Sequence, residues 1–272
     1  MHIQKLPARN VQRWFELGWQ TFWRQPLALG LLFGLNIACT LLLQFIPLVG
    51  PVLNMLLHPL LVLLLVIAAS QAVAGQRIRP ALLLRALDCG RAGQRKLLVL
   101  GGVHVLVWLG LLGLSALVDG GSFASASLGL GLSELWADPP AQSLSDSLLS
   151  LALLLQLVLS CHAPGLVYWH GVSPVKALRL SAAACLRNWR AVLLSGLLGI
   201  RLGLAMLLGI ALLFGLIGSV TGMKKIALGG ALAAWTFSIM ACSAICWISQ
   251  FLGFRDCFGV PATPARAEAD AT

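Results

Sequence analysis

Arg201 is a full charge set deep in an apolar run, "LLSGLLGIRLGLAMLLG" (193–209). A guanidinium in such a run can hold an anion, a lipid headgroup or a permeating solute, because it stays charged and offers a planar fork of donors. It can equally serve as a hydrogen-bond plug between helices, or snorkel from a tilted helix. The other residue types that support chemistry are dispersed. The histidines are His2, His58, His104, His162 and His170, and no two stand at ligand spacing on one helix, so a metal site is not expected. His162 precedes Pro164 and reads as a structural residue at a kink that frees backbone carbonyls. Cys39, Cys89, Cys161, Cys185, Cys242, Cys246 and Cys257 form no CxxC pair and read as small packing residues in a reducing or lipid setting.

Acids complete the inventory by their position. Asp119 and Asp146 fall at the outer ends of apolar runs, and Glu16, Asp88 and Asp256 fall outside the runs, in inner interfacial segments. Proton-coupled transport usually needs a carboxylate within the membrane. Intramembrane hydrolysis needs paired acids, a metal set or an activated nucleophile. None is legible, nor is a phosphate-binding loop or dinucleotide fingerprint. The expectation is a protein that is not an enzyme and uses no cofactor.

The elements that position these residues follow from composition. Of 272 residues, 59% are hydrophobic and 10% charged, with a mean hydropathy of +0.90. So few charges cannot cover a water-facing surface, which points to a polytopic α-helical membrane protein. Six apolar runs can each cross a bilayer: Pro26–Ile46, Val52–Ala74, Leu97–Val118, Ser147–Trp169, Ala191–Ile217 and Ala227–Phe251. In lipid the backbone must satisfy its own polar groups, so these are helices. The expected fold is an all-α bundle of six transmembrane helices, one domain over 1–258, followed by a disordered polar tail, 259–272. Residues 119–146 form an outer loop that could hold a short helical turn near Leu132–Trp136.

The net charge of +10 does not indicate nucleic acid, because the basic residues cluster between apolar runs. With the N-terminus inside, every Lys and Arg of the connecting segments except Lys224 and Lys225 lies on the inner face, which puts both termini in the cytoplasm. Before three of the runs stand amphipathic basic stretches: "VQRWFELGWQTFWRQ" (11–25), "PALLLRALDCGRAGQRK" (80–96) and "PVKALRLSAAACLRNWR" (174–190). Each reads as a helix in the membrane plane on the cytoplasmic side, with tryptophans at headgroup level. Arg85, Arg91, Arg95, Arg187 and Arg190 are candidate contacts for anionic headgroups.

Aligning 80–102 with 174–196 pairs Pro80 with Pro174, Arg85 with Arg179 and Gly102 with Gly196. An interfacial helix plus a transmembrane hairpin could thus occur three times, over 11–75, 80–170 and 174–252, as parallel repeats. The alternative is that any hairpin entering from inside carries basic, amphipathic residues. Counting depth along the runs brings Asn36 and Gln156 to the level of Arg201, a possible mid-membrane polar layer. Ser195, Gly199 and Gly203 repeat every fourth residue and offer a close-packing stripe. If that stripe meets one neighbour, Arg201 needs another, and the fifth span is central.

The phrases "IPLVGP" (46–51), "APGLVYWHGVSPVKALRLSAAACLRNW" (163–189) and "FRDCF" (254–258) carry a resemblance. Over roughly residues 5–258 the chain resembles an uncharacterised family of bacterial six-span inner-membrane proteins. That family is distantly similar to the membrane domain fused to some glycerophosphodiester phosphodiesterases. Pro164, Asn188 and Trp189 belong to the most specific phrases and are expected to be structural, as are Gly199 and Gly203. Phe254 stands where the family often has Tyr, so a hydroxyl is absent. The resemblance implies a fold and a compartment, but no activity and no catalytic residue. The function expected is an accessory, scaffold or lipid-interacting module that meets anionic lipids, with a membrane-protein complex as a candidate partner and no nucleic acid involved. The alternative is a carrier or channel for a small anionic solute at Arg201.

Overall fold

The computed structural model describes residues 3–78, 90–118, 120, 122–128 and 144–260. Their regular structure is helical, with no strand among the described residues. The elements are α1 (Arg9–Arg24), α2 (Pro26–Gln44), α3 (Val49–Val73), α4 (Gly90–Val118), α5 (Ser122–Ser127), α6 (Leu144–Ser160), α7 (Ala163–His170), α8 (Pro174–Arg187), α9 (Trp189–Thr221) and α10 (Lys224–Phe258). Six stretches are long and apolar enough to span a bilayer: α2, α3, α4, Ser150–His170, α9 and α10. The fourth is interrupted, since α6 and α7 are separated by a turn at Cys161 and His162. Pro164 explains the break, because it has no N–H to donate to the preceding turn and is favoured in the first turn of a new helix.

The chain ends are set by similar local chemistry. Pro26 opens α2, where a missing N–H costs nothing, and Gln25 donates its backbone N–H to Phe22 O at 3.1 Å. Gly171, at φ 61°, ends α7 in the left-handed conformation and donates to Val167 O at 3.1 Å. Gly222, at φ 68°, takes the same left-handed conformation at the end of α9. The amphipathic helices α1 and α8 precede α2 and α9, as expected for the first and third stretches. Residues 80–89 of the middle stretch, including Arg85, lie outside the described residues, as do Leu132–Trp136 and the tail from 261 on.

The chain divides into two compact units. The first holds residues 1–35, 65–80 and 187–259, hence α1, the start of α2, the end of α3, α9 and α10. Here α1 lies along α10. Gly18 permits this, since a Cβ there would stand 2.8 Å from Ser249 Oγ and 3.0 Å from Ile245 O. Val11, Trp14 and Phe22 of α1 are buried in this unit, together with Ile245, Ile248, Leu252 and Phe254 of α10. By contrast α9 is not central. Leu193, Leu197, Ile200, Leu204, Leu208 and Leu212 recur every three or four residues along it and are all exposed. A stripe of that kind in water would be a large apolar patch, whereas against lipid it is an ordinary helix surface.

The second unit holds the described residues of 36–64 and 81–186. Trp108, Leu111 and Leu112 of α4 form its buried cluster with Leu148 of α6, and Val52 and Met55 of α3 pack on it. Further along, α3 and α4 touch at Gly101, where a Cβ would run into the Leu56 carbonyl. In this unit α5 is a short helix within the expected outer loop, where Ala and Ser dominate and no apolar period announces it. The Ser115 hydroxyl accepts the Ala124 N–H at 3.1 Å and ties α5 to α4.

Candidate functional site

Arg201 lines an open groove of about 380 Å³ in the first unit. The groove's walls come from α1 (Phe15, Glu16, Trp19, Gln20), from α9 (Leu198, Leu202, Ala205) and from Ile245 of α10. The arrangement follows from the periodicity of α1. Val11, Trp14, Gly18 and Phe22 face α10, which turns the adjoining stripe of residues 15, 16, 19 and 20 toward α9. A carboxylate and a guanidinium thus share one largely apolar trough, and among the described residues they form no ion pair with each other. Trp19 is exposed beside Trp23, their rings edge to face at 5.6 Å. Such a groove can seat a charged headgroup at Arg201 and an apolar chain along Leu198, Leu202 and Ala205.

The other residues expected in a polar layer do not line this groove. Asn36 and Gln156 belong to the second unit, and the Arg201 groove contains neither. Gln156 Nε2 is buried without a hydrogen-bond partner. Along the small-residue stripe, Gly199 is in contact with α10. A Cβ there would stand 3.2 Å from Cys246 Sγ, and Gly199 O accepts from Cys242 Sγ at 3.8 Å. Nothing lies within 4 Å of the Cβ position at Gly203.

Of the basic residues proposed for headgroups, Arg91, Arg95, Arg187 and Arg190 are all exposed. Arg190 stacks over the exposed Trp189 ring at 5.3 Å, a cation–π pair at the start of α9. Lys96 is used internally, where its Nζ donates to Gly171 O at 2.6 Å and caps the carbonyl end of α7. Asn188, at the N-terminus of α9, is buried. Its Oδ1 accepts the Leu6 N–H at 2.8 Å, and its Nδ2 donates to Gln4 O at 3.2 Å and Cys257 Sγ at 3.7 Å. It joins three distant parts of the first unit, residues 4–6, the head of α9 and the end of α10.

Two polar groupings in the second unit were not legible in the sequence. His58 and His104 have rings 5.7 Å apart. Helix α4 begins at Gly90, well ahead of the apolar run at Leu97, so His104 stands at mid-helix. His104 Nδ1 lies 2.8 Å from Leu100 O, which can only accept. In the neutral ring Nδ1 therefore carries the proton, and Nε2 accepts from the Ser160 hydroxyl at 2.7 Å. His104 and Ser160 are 1% and 4% exposed, so this pair clamps α4 to α6 and has no opening for a substrate.

The second grouping is at the α6–α7 turn. Cys161 Sγ lies 3.7 Å from His162 Nε2, and Cys185 Sγ of α8 completes a set of three donor atoms within 4.8 Å of one another. A hydrogen bond from Cys161, aided by the nearby His162 ring, holds the Cys185 thiol down at about 5 against the raising effect of burial. His162 is the N-cap residue of α7, but its side chain makes no capping bond. Neither grouping could be found by spacing, since each forms between helices far apart in sequence.

The geometry above is that of a membrane protein with polar residues held between helices. Comparison with known proteins agrees. Over 265 aligned residues, covering 96% of this chain and 95% of the relative, the chain is 30% identical to a probable inner membrane protein of Burkholderia thailandensis. No family model matches the chain, and no solved structure does. Similarity over nearly the whole of both chains, together with six helices able to span a bilayer, places it as a multi-pass protein of the bacterial inner membrane. The chain belongs to the family of this probable inner membrane protein.

Proposed function

We propose that the protein is a non-enzymatic, lipid-interacting module of the inner membrane, an accessory or scaffold subunit that seats a phospholipid in the groove between α1 and α9. The observation that carries this reading is the pairing of Arg201 with an apolar trough and an exposed tryptophan rim. The guanidinium matches a phosphodiester, and the leucines match an acyl chain. In this reading both termini and the basic stretches face the cytoplasm. Arg91, Arg95, Arg187 and Arg190 then draw anionic lipid to that face, each contributing about 1 kcal/mol near the surface. The distant resemblance to a membrane domain found fused to lipid phosphodiesterases is in keeping with this role. A membrane-protein partner would meet the protein within the bilayer, and nucleic acid plays no part.

The test uses the full chain in nanodiscs that contain equal amounts of phosphatidylglycerol and phosphatidylcholine, with retained lipids identified by native mass spectrometry. Phosphatidylglycerol should be enriched, and Arg201→Ala should lose at least one retained lipid per chain. Equal recovery of both lipids, unchanged in Arg201→Ala, would overturn the reading. A second reading, favoured by the same groove, is passage of a small anion past Arg201. Anion flux into proteoliposomes that disappears in Arg201→Ala, with lipid retention unchanged, would favour that reading instead.

A further inference from the structure

We infer that Cys161, His162 and Cys185 form a binding site for a thiophilic d10 metal ion, zinc(II) or copper(I), that fastens α8 to the break between α6 and α7. The donor set is two thiols and one imidazole, the combination such ions prefer. The three donor atoms already lie within 4.8 Å of one another. Metal–sulfur and metal–nitrogen bonds of about 2.3 and 2.0 Å at a tetrahedral or trigonal angle put S and N about 3.5 to 3.7 Å apart. Cys161 Sγ and His162 Nε2 stand at 3.7 Å. An ion could therefore enter between these two donors with their separation unchanged.

The backbone around the donors is fixed by bonds that do not involve their side chains. The Cys161 N–H donates to Leu157 O at 2.9 Å, and the Leu166 N–H donates to His162 O at 3.0 Å. The His162 N–H donates to the Ser181 hydroxyl at 3.2 Å, and that hydroxyl donates to Val158 O at 2.8 Å. Ser181 and Cys185 are one turn apart on α8, so the serine that holds the turn also aims Cys185 at it. His162 and Cys185 are buried, which screens the site from bulk water. Three protein donors leave zinc a fourth position for water or another ligand, while copper(I) is content with three. Both sulfurs bind as thiolates, any proton still held by either passes to solvent, and nothing is oxidised or reduced.

The experiment loads the purified full-length protein, reduced and stripped with chelator, with zinc(II), with copper(I) under anaerobic conditions, or with cobalt(II) as a spectroscopic stand-in. About one ion per chain should be retained through gel filtration, and the cobalt form should show thiolate-to-metal charge-transfer bands. Cys161→Ser and Cys185→Ser should each lower affinity at least 100-fold and abolish those bands. Cys242→Ser, which alters a cysteine elsewhere, should retain both. Ser181→Ala, which disturbs only the support of the turn, should weaken binding about tenfold. A competition titration of the wild-type protein against a chromophoric chelator needs no variant to fold. The proposal is overturned if wild type retains no more metal than the Cys161→Ser/Cys185→Ser double variant, if cobalt shows no thiolate bands, or if Cys161 and Cys185 are found joined as a disulfide in protein purified under reductant.

Discussion

Trp14 Nε1 donates to Asp256 Oδ2 at 2.8 Å, joining α1 to the last turns of α10 across 242 residues of sequence. The contact is reinforced below by Ser249, whose hydroxyl lies 3.2 Å from Trp14 O and 2.7 Å from Ile245 O. It is also reinforced by Gly253, where a Cβ would stand 3.3 Å from the Trp14 ring. The α1–α10 pair is thus a built joint, and the Arg201 groove runs along its flank.

Trp14→Phe keeps an aromatic face but removes the N–H and the larger part of the indole, whereas Asp256→Asn leaves the indole in place and removes the acceptor's charge. A hydrogen bond to a charged acceptor typically contributes about 1.5–3 kcal/mol. Trp14→Phe should lose about that much stability in detergent-solubilised thermal unfolding, and phospholipid retention should fall with it because α1 forms one wall of the groove. Unchanged stability in both Trp14→Phe and Asp256→Asn would mean that the Trp14–Asp256 bond does not hold the joint.

Asn188→Ala leaves the Leu6 N–H without its acceptor at a buried site, which costs about 1–3 kcal/mol. Release of residues 4–6 should appear as faster tryptic cleavage after Lys5 and Arg9. Asn188→Asp keeps the acceptor oxygen for Leu6 but loses the donor to Gln4 O, so its cleavage rate should fall between those of wild type and Asn188→Ala.

Gly101 and Gly102 are neighbours with opposite constraints. A Cβ at 101 meets the Leu56 carbonyl of α3, while one at 102 meets nothing within 4 Å. Gly101→Ala should sharply lower the yield of monodisperse protein, since backbone cannot yield as a side chain can. Gly102→Ala should be neutral or slightly stabilising, because alanine is the better helix former. Equal behaviour of the two in fluorescence-detected gel filtration would contradict the α3–α4 contact.

Ser160→Ala removes the donor to His104 Nε2 between α4 and α6. Interhelical hydrogen bonds in membrane proteins average about 0.6 kcal/mol, with a maximum near 1.7. The loss in unfolding free energy should fall in that range. A larger loss, recovered in Ser160→Thr, would show that the pair supports more than one helix contact.

Much of this architecture is written in the chain's hydropathy, because lipid forces long apolar runs into helices. Pro164 announced the interruption of the fourth span, and the amphipathic period of 11–25 announced α1. Three things were hidden for identifiable reasons. Trp14 reads as a headgroup anchor beside Trp19 and Trp23, yet it is 5% exposed while they are 40% and 49%. Its face is decided by a partner on α10 that no local pattern reveals. The length of α4 was understated because Gly90–Lys96 is polar, and hydropathy reports solvent rather than backbone state. Cys161, His162 and Cys185 meet only because α8 folds back against the turn, so their spacing along the sequence carries no sign of a common centre. Arg201 was conspicuous by charge, but its groove depended on which stripe of α1 was left over after packing on α10.

Gln4 donates its backbone N–H to Cys257 O at 3.1 Å, and Cys257 Sγ lies 3.8 Å from Gln4 O. Segments that begin and finish the helical array are therefore stitched side by side within the first unit. A brief flexible bridge joining these segments should let the break in the chain be moved to another loop, giving a circular permutant with the same helix arrangement.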